Sequence, residues 1–324
     1  MTRPGELRIG LFEPWMHNQV VDMISREYGV DWESQDRLTR AFYEHPYQRD
    51  SAIRIVALDD RKVVGFQSFF RWPYMLAGRM QNSYQSGNSI VHPDYRGQGI
   101  FRRLLTYMDV VRSTRSIDFV FGFPIEPSYG NLIRDGWSNT VDLNWLVLPL
   151  SPLSVLSRGT DLTRCTLGRE REPTLCGPTW EGFILTQDPS FDSWRGGYMS
   201  RERRFFYHYA KGGRHARFDL KAKFRGRVKE LVIGRPLTDC DDPAFVRGAL
   251  DALVKKVRGE RAFTILSIAL NFKCREVGLL RILDQVGFMR IRKRIFFLVK
   301  DFTVGEALFN PELWKLYFDD IDTW

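Results

Sequence analysis

Hydrophobic residues recur with two periods along the first half of the chain, and these periods predict alternating helices and strands. Apolar positions at helical spacing predict a long helix that begins at Ile100 and shorter helices over residues 15–28, 38–43 and 128–135. Alternating or continuous apolar runs predict strands over residues 53–58, 63–70, 82–91, 117–123 and 141–148. The first two strands form a hairpin, because a polar turn at residues 59–62 separates them.

The same order of elements returns in the second half. Here the predicted elements are a helix over residues 245–257, a strand over 263–268, a helix over 278–285 and a strand over 291–300. The short helix ends at Gly287-Phe288, as its counterpart in the first half ends at Gly136-Trp137. We therefore predict two copies of one α/β fold. The alternative is two unrelated α/β domains whose helices happen to end at glycine.

A stretch rich in proline and glycine separates the two copies. Residues 151–178 have irregular apolar spacing, and they include Pro152, Gly159, Gly168, Pro173, Gly177 and Pro178. A short helix is predicted within them at residues 153–156. We therefore predict a first domain over residues 1–150, a linker over 151–178 and a second domain over 179–324.

Composition and charge narrow the class of protein. The chain has 324 residues, of which 44% are hydrophobic and 27% are charged, as in a globular protein of two domains. Its formal net charge of +9 favours anionic partners. Because the lysines and arginines are scattered, phosphates on a small molecule explain the charge as well as nucleic acid does. We do not expect a nucleic-acid partner.

Targeting, membrane and redox signals point to the cytoplasm. Residues 1–6 lead into a polar segment without the apolar core of a signal peptide, and no apolar run approaches the ~20 residues that cross a bilayer. The cysteines form no CxxC pair, which argues against a zinc site. Cys165 and Cys176 could approach each other, but ordinary reduced thiols are the expected state. HExxH, Walker and nucleophile-elbow motifs are absent as well.

One glycine-rich loop carries chemistry that is specific enough to predict a site. Arg96-Gly97-Gln98-Gly99 joins a strand to a helix, and the free N–H groups of a helix start bind phosphate. Glycines let the backbone approach an anion closely, and Arg96 adds a positive fork. At the corresponding place the second half reads Asp241-Asp242-Pro243, which would repel phosphate. A single anionic cofactor therefore belongs to the first half.

The sequence around this loop resembles the acyl-CoA-binding motif of the GNAT superfamily of N-acyltransferases. The resemblance begins at Ile90-Val91-His92-Pro93, passes through the glycine loop to Ile100-Phe101, and continues with Leu104-Leu105. Phe101 departs from the pattern, since glycine or alanine is usual there. Some bacterial GNAT members encoded with surface-polysaccharide genes also carry Phe at that point, and many of them have two GNAT-like halves. The resemblance is specific over residues 83–148.

This resemblance implies tandem GNAT-like folds, each a mixed, mostly antiparallel sheet flanked by helices. It implies acetyl-CoA or another acyl-CoA as cofactor. Pantetheine would lie against the backbone of Ile90 and Val91, between this strand and the strand over residues 117–123. The residues that would hold the pyrophosphate are Arg96, Gly97, Gln98, Gly99, Ile100 and Phe101. A strand N–H would stabilise the oxyanion as an amine attacks the thioester directly.

The resemblance leaves the acid and the base open. GNAT proteins often place a tyrosine shortly before the closing glycine to protonate the thiolate, and Leu132 stands there. Tyr129, one helical turn earlier, is the candidate acid, or else a packing aromatic. Glu126 is a candidate base, or else a solvated carboxylate. Asn88 is a candidate for orienting the substrate, His92 is expected to face solvent, and a water chain could replace a side-chain base.

Aromatic residues offer a weaker signal for an acceptor pocket. The residues are Trp15, Tyr43, Tyr47, Trp72 and Tyr74. They could line a pocket and stack on a sugar or nucleobase, or they could be packing residues. The basic and aromatic stretch over residues 201–208, and Trp194-Arg195 before it, could contact a nucleotide or form an amphipathic helix.

The resemblance implies an acceptor as well. It points to the primary amine of an amino sugar, or of a nucleotide-linked amino sugar, in surface-polysaccharide assembly. Three alternatives remain open at this stage. They are an antibiotic or small-amine N-acetyltransferase, a Fem-like peptidyltransferase that uses aminoacyl-tRNA, and a non-catalytic acyl-CoA-binding protein.

Overall fold

The computed structural model describes residues 7–150, 162, 165–168, 175, 180–186, 188–198, 203–275 and 277–322. Most of the predicted linker, including its short helix at residues 153–156, lies outside these ranges, and so does Cys176. None of the helices in the described ranges combines the length and apolarity needed to span a membrane.

Helices and strands alternate in the order that the sequence predicts. The helices are α1 (His17–Tyr28), α2 (Trp32–Tyr43), α3 (Pro46–Arg49), α4 (Ile100–Arg115), α5 (Glu126–Arg134), α6 (Pro189–Tyr198), α7 (Pro243–Glu260) and α8 (Val277–Val286). The strands of the first half are β1 (Arg8–Leu11), β2 (Ile53–Asp59), β3 (Lys62–Arg71), β4 (Tyr74–Leu76), β5 (Arg79–Met80), β6 (Ser83–Val91), β7 (Phe119–Gly122) and β8 (Ser138–Pro149). Those that follow are β9 (Phe183–Leu185), β10 (Arg204–Lys211), β11 (Arg214–Arg225), β12 (Val228–Thr238), β13 (Ile265–Asn271) and β14 (Met289–Asp301).

A single sheet runs through both halves. Among the described residues it has 11 strands in the order β1-β2-β3-β6-β7-β14-β8-β13-β12-β11-β10. Each half contributes one parallel pair to an otherwise antiparallel sheet, β6 with β7 and β12 with β13. Each parallel pair is followed by the same helix–strand succession, so the prediction of two copies of one α/β fold is confirmed.

The two copies exchange one strand each. β14, from the end of the second copy, lies between β7 and β8 of the first. β8 in turn pairs with β13 of the second copy over Leu143–Pro149 and Ile265–Asn271. The predicted domain boundaries at residues 150 and 179 stay a prediction, because the sheet continues across them without a break.

The exchange joins the cores on both faces of the sheet. On one face, Leu143 and Trp145 of β8 belong to an aromatic-rich cluster that also contains residues of α1 and α2. On the other face, α4 covers the first half, while Leu146 and Leu148 of β8 pack into the cluster under α7. Burial of this much apolar surface on both faces is the main force that holds the halves together.

The described part of the chain contains elements that the sequence did not reveal. The helix considered for residues 201–208 is wrong, because Arg204–Lys211 is the strand β10, which pairs with β11. Phe205, Tyr207 and Tyr209 all pack against the cluster under α7, and a spacing of two residues is the period of a strand. The amphipathic helix is confirmed for Trp194 and Arg195, which lie buried on α6.

Candidate active site

A gap opens between the parallel strands β6 and β7. Their pairing runs from Ser83 with Phe119 to Ser86 with Gly122, whereas β6 continues to Val91. On its other edge β6 stays paired with β3, through Val91 with Gly65 and Ile90 with Phe66. Among the described strands, residues 87–91 of β6 therefore have no β7 partner, so their backbone borders the gap.

A β-bulge marks the start of this gap. The register between β3 and β6 shifts by one residue between Phe66 and Ser68, and Asn88 has a positive φ of 52°. The Asn88 Nδ2 donates to the Tyr43 hydroxyl at 2.7 Å, and that hydroxyl donates to the Ser68 Oγ at 2.7 Å. Burial raises the pKa of Tyr43 to about 12, so it keeps its proton at neutral pH. The bulge is thus held by a buried polar chain.

The glycine loop enters α4 in a conformation that side chains rarely adopt. Gly97 and Gly99 have φ angles of +80° and +72°, and an added Cβ at either would meet no atom within 4 Å. The loop is open to solvent, so glycine is required by backbone angle rather than by crowding. Gly99 occupies the N-cap of α4 and has no side chain with which to cap the first turn. The N–H groups of that turn therefore remain available to an external acceptor.

Basic side chains surround the start of α4. The Arg96 Nε donates to the Val91 carbonyl at 3.1 Å, and its Nη2 pairs with Glu27 of α1 at 2.6 Å. Arg102 is exposed, and the Arg103 Nη2 donates to the Leu7 carbonyl at 2.6 Å. Arg96 is more than half exposed, so its pairing with Glu27 is worth little and can yield to a phosphate.

These features fit an acyl-CoA molecule. The uncapped helix start and its arginines suit the pyrophosphate, since helix N-termini and positive charge both stabilise anions. Ile100 and Leu104 are buried on the opposite side of α4, where the ideal Cβ position of Gly65 is 2.9 Å from Ile100 Cγ2. This contact fixes the helix against β3 and so fixes the loop beside the gap. Of the other two predicted loop residues, Gln98 is exposed and Phe101 is half-buried.

The candidate acid and base sit on α5. The ring of Tyr129 packs against Phe296 of β14, with centroids 4.7 Å apart. Glu126 is exposed in the first turn, and Leu132 is buried against the cluster beneath α4. The His92 Nδ1 accepts from the Asp94 N–H at 3.4 Å. The catalytic assignments of Tyr129 and Glu126 therefore stay predictions, and the contact with Phe296 agrees with the packing interpretation of Tyr129.

The aromatic residues considered for an acceptor pocket are mainly packing residues. Tyr43, Tyr47, Trp72 and Tyr74 are buried in the cluster that contains α1 and α2, whereas Trp15 is 41% exposed. Tyr43 still reaches Asn88 through its hydroxyl, so one of the five touches a predicted site residue.

Polar groups that the sequence did not single out approach the same gap from the second half. The Gln85 Nε2 donates to the Asp322 Oδ1 at 2.9 Å, across 237 residues of sequence. On β11, Lys221 and Lys223 are half-buried, and Lys223 lies 3.8 Å from the ring centroid of Phe318. Asp322 is among the charges that act on Lys221. Local sequence offers no signal for these contacts, because Gln85 and Asp322 are 237 residues apart and β11 lies six places from β6 in the sheet.

The corresponding gap of the second half is filled by the chain itself. β12 and β13 pair only as far as Ile233 with Ile268, although both strands continue. Beyond that point Leu270 forms a bridge with Tyr317, and the Asn271 N–H donates to the Leu316 carbonyl at 3.1 Å. The other edge of β13 is already paired with β8, so this segment must lie in the gap.

A large concavity lies near this filled gap. Its volume is about 1390 Å³, and its mainly apolar wall includes Trp180, Leu185, Leu237, Leu279 and Tyr317. The acidic loop contributes Asp241 to its rim. The cleft also includes Met75, Ala77, Gly78 and Met80 of the first half, so it lies between the two halves, and no residue of the glycine loop lines it.

Comparison with known proteins agrees with this geometry. Residues 16–138 match the family model of the acetyltransferase (GNAT) domain. No curated protein matches the chain significantly. A GCN5-related N-acetyltransferase from Anabaena variabilis is similar in structure at 10% identity and a TM-score of 0.63, over 91% of this chain and 73% of that one.

Two further solved structures resemble the whole sheet. Saccharomyces cerevisiae N-myristoyltransferase with bound myristoyl-CoA has 12% identity and a TM-score of 0.55, over 100% of this chain and 86% of its own. A tandem GNAT protein from the clavulanic acid biosynthesis pathway has 13% identity and a TM-score of 0.52, over 91% and 98%. At such identities the likeness establishes the fold alone.

The family match and the fold together define the class of protein. Residues 16–138 match the GNAT acetyltransferase domain, and the chain has the tandem GNAT fold. It is an acyl-CoA-dependent N-acyltransferase, with acetyl-CoA or another acyl-CoA as the donor.

Proposed function

We propose that the first half transfers an acetyl group from acetyl-CoA to the primary amine of an amino sugar that is linked to a nucleotide diphosphate. Arg96, Gly97 and Gly99 hold the donor's pyrophosphate, and the backbone of Ile90 and Val91 lines its pantetheine arm. The bound donor supplies an activated thioester carbonyl. The chain's own residues orient the amine, exclude water and accept its proton. We place the reaction in the cytoplasm, where the donor is made.

One observation supports an acceptor that carries negative charge. Burial, together with the neighbouring Arg204, Arg195 and Arg203, lowers the pKa of Lys221 to about 8. Burial and the neighbouring Lys221 lower the pKa of Lys223 to about 7. Such crowding of half-buried positive charge is unfavourable in the empty protein and is relieved by an anion. A diphosphate on the acceptor would supply that anion.

The other functions considered fit this surface less well. A cationic antibiotic would be repelled by the lysines of β11. A tRNA-dependent peptidyltransferase has no need of a pyrophosphate loop that fits acyl-CoA. A non-catalytic acyl-CoA-binding protein would show no turnover with any amine, so a rate measurement separates it from an enzyme.

The test is a transfer assay with matched acceptors. We expect acetyl transfer to UDP-linked glucosamine at a kcat/KM at least ~10-fold above that for free glucosamine, since one charge-assisted contact is worth about 1.5–3 kcal/mol. Lys223→Met should raise the KM for the linked sugar and leave the KM for the free sugar unchanged. Lys211→Met, at the exposed end of β10, is the matched control. Equal rates on both sugars, or transfer to spermidine alone, would overturn the proposed acceptor.

The pH dependence provides a second test of the same acceptor. An anion stabilises the protonated lysines, so its binding is strongest below their folded pKa values of about 7 and about 8. The KM for the linked sugar should therefore rise as pH increases from 7 to 9. A KM that stays constant or falls over this range would contradict the role of these lysines.

A further inference from the structure

A carboxylate from the far end of the chain lies where the gap between β6 and β7 begins. Ser86 is the last residue of β6 that pairs with β7, and Gly87 follows it. A Cβ placed on Gly87 would be 3.3 Å from the Asp322 Oδ2. The other oxygen, Oδ1, accepts from the Gln85 Nε2 at 2.9 Å. Asp322 is only half-buried, so part of its surface is accessible to a small molecule.

A rigid anchor holds this carboxylate in place. Asp320 is fully buried and accepts hydrogen bonds from the Arg235 Nη2 at 3.0 Å and from the Tyr74 hydroxyl at 2.6 Å. The Tyr198 hydroxyl donates to the Asp322 carbonyl at 3.4 Å. The second half thus fixes the backbone on both sides of Ile321, which is itself buried, and directs Asp322 at the first half.

Besides Gln85, titratable side chains on four elements are close enough to interact electrostatically with Asp322. They are Tyr28 of α1, Tyr43 of α2, Tyr198 of α6 and Lys221 of β11. Burial raises the pKa of all three tyrosines, and the charge of Asp322 raises it further, so they stay neutral around pH 7. Lys221 gives a positive charge on the side of the second half. Among these neighbours Asp322 is the anion, which suits the binding of an ammonium.

We propose that Asp322 is the catalytic base for the acceptor amine, an inference that rests on the proposed N-acyl transfer. Its carboxylate binds the acceptor's ammonium group and takes one proton from it. The lone pair of the neutral amine then forms the new C–N bond at the thioester carbon. The C–S bond breaks, its electron pair leaves with sulfur, and a second proton from nitrogen completes the thiol of CoA. Asp322 returns its proton to water.

The same geometry explains why position 87 is a glycine and why Lys221 lies near this carboxylate. A side chain at Gly87 would meet the Phe70 ring at 2.8 Å and crowd Asp322 away from the gap. Asp322 receives the amine end of the acceptor, and Lys221 and Lys223 receive its anionic end. An acceptor that carries both charges spans the two halves of the protein.

The test compares Asp322→Asn with wild type in the transfer assay with UDP-linked glucosamine. We expect kcat to fall at least ~100-fold, the usual contribution of a general base, with acetyl-CoA affinity unchanged by calorimetry. The loss should shrink as pH rises, because the free amine needs no base. Asp322→Glu should recover part of the rate. Glu312→Gln, which alters an exposed ion pair with Arg275, is the control that should keep the wild-type rate.

Two outcomes would overturn the inference, and they differ from failure of the proposed function. If the Asp322→Asn enzyme has the wild-type kcat and pH profile, Asp322 is not the catalytic base, although the proposed acyl transfer is still supported. If wild type acylates no amine, the proposed function fails, and NMR titration of glucosamine into CoA-loaded protein decides about Asp322. Binding by wild type that is lost in Asp322→Asn supports an amine site there, whereas equal binding by both proteins excludes it.

Discussion

The two copies of the fold differ in what lies between their two parallel strands. In the first half, β6 and β7 part after Ser86, and no bridge from another described segment is found on that side of residues 87–91. In the second half, β12 and β13 part after Ile233, and residues 316–320 lie between them. A segment of polypeptide therefore occupies in one copy the position that we propose for pantetheine in the other.

The helix starts beside the two gaps differ in the same sense. The N-cap of α4 is Gly99, which leaves the first N–H groups of the helix available to an anion. The N-cap of α7 is Asp242, whose carboxylate accepts from the Ala244 N–H at 2.9 Å and is paired with Arg214. The second helix start is thus satisfied internally. We propose that acyl-CoA binding requires both an open gap and an uncapped helix start, and within the described residues the first copy alone combines them.

Asp320→Ala tests the filled gap and should have the largest effect. It removes the carboxylate that pairs with the buried Arg235 at 3.0 Å and accepts from the buried Tyr74 hydroxyl, while Asp319 still faces Arg235. We therefore expect a loss of about 3–5 kcal/mol in the free energy of unfolding. Denaturation with urea measures it. The control Glu312→Ala breaks an exposed ion pair and should cost less than about 1 kcal/mol. Similar losses in both variants would mean that the buried pair does not stabilise the segment.

Gly99→Glu tests the open helix start. The new carboxylate repels the pyrophosphate, and a side chain at a φ of +72° is strained, so acetyl-CoA affinity should fall at least ~100-fold. Calorimetry measures this affinity. Gly99→Ala adds the strain without the charge and should lose about fivefold, since that strain costs roughly 1 kcal/mol. Unchanged affinity in Gly99→Glu would place the donor elsewhere.

Lys223→Met tests the charge that faces the acceptor side. The folded pKa of about 7 lies below the ordinary value of 10.5, so the unfolded chain binds the proton more readily. The loss of folding stability caused by burying the charged Lys223 is therefore fully present below pH 7 and vanishes above about pH 10.5. The variant should be more stable by on the order of 1 kcal/mol at pH 6 and equal to wild type near pH 11. A gain in stability that is the same at every pH would show that the variant acts through packing rather than through charge.

Replacing Asp241 and Asp242 of the second half should leave the number of acetyl-CoA molecules bound per chain unchanged. Asp241→Gly with Asp242→Gly removes the repulsion and the cap, but the gap beside β13 remains filled. Calorimetric stoichiometry should stay at one acetyl-CoA per chain. A second binding event would show that the loop alone, rather than the filled gap, distinguishes the two copies.

The sequence predicts the local part of this picture well. The glycine loop, the helix after it and the repeated order of elements all follow from patterns within about 20 residues, where turn chemistry and periodicity act. The family match over residues 16–138 agrees with the loop on which the prediction depends.

Long-range features escaped prediction for physical reasons. β8 and β14 are both apolar strands, and no local pattern states which neighbour each will pair with. The strand β11 presents Arg217, Asp219 and Lys221 to one face, so its alternation did not suggest a buried surface. Asp322 meets Gln85 only because the sheet brings together residues 237 positions apart.

The strand exchange also sets the order in which the enzyme can assemble on the ribosome. The glycine loop at residues 96–99 emerges early, but β14 lies at Met289–Asp301 and fills the place between β7 and β8. Until β14 emerges, β7 has an unpaired edge beside the proposed donor site, and β8 lacks its neighbour β14 as well as, before β13 emerges, its neighbour β13. The nascent first half must therefore remain incomplete through most of translation. A chaperone that shields such edges should meet it there.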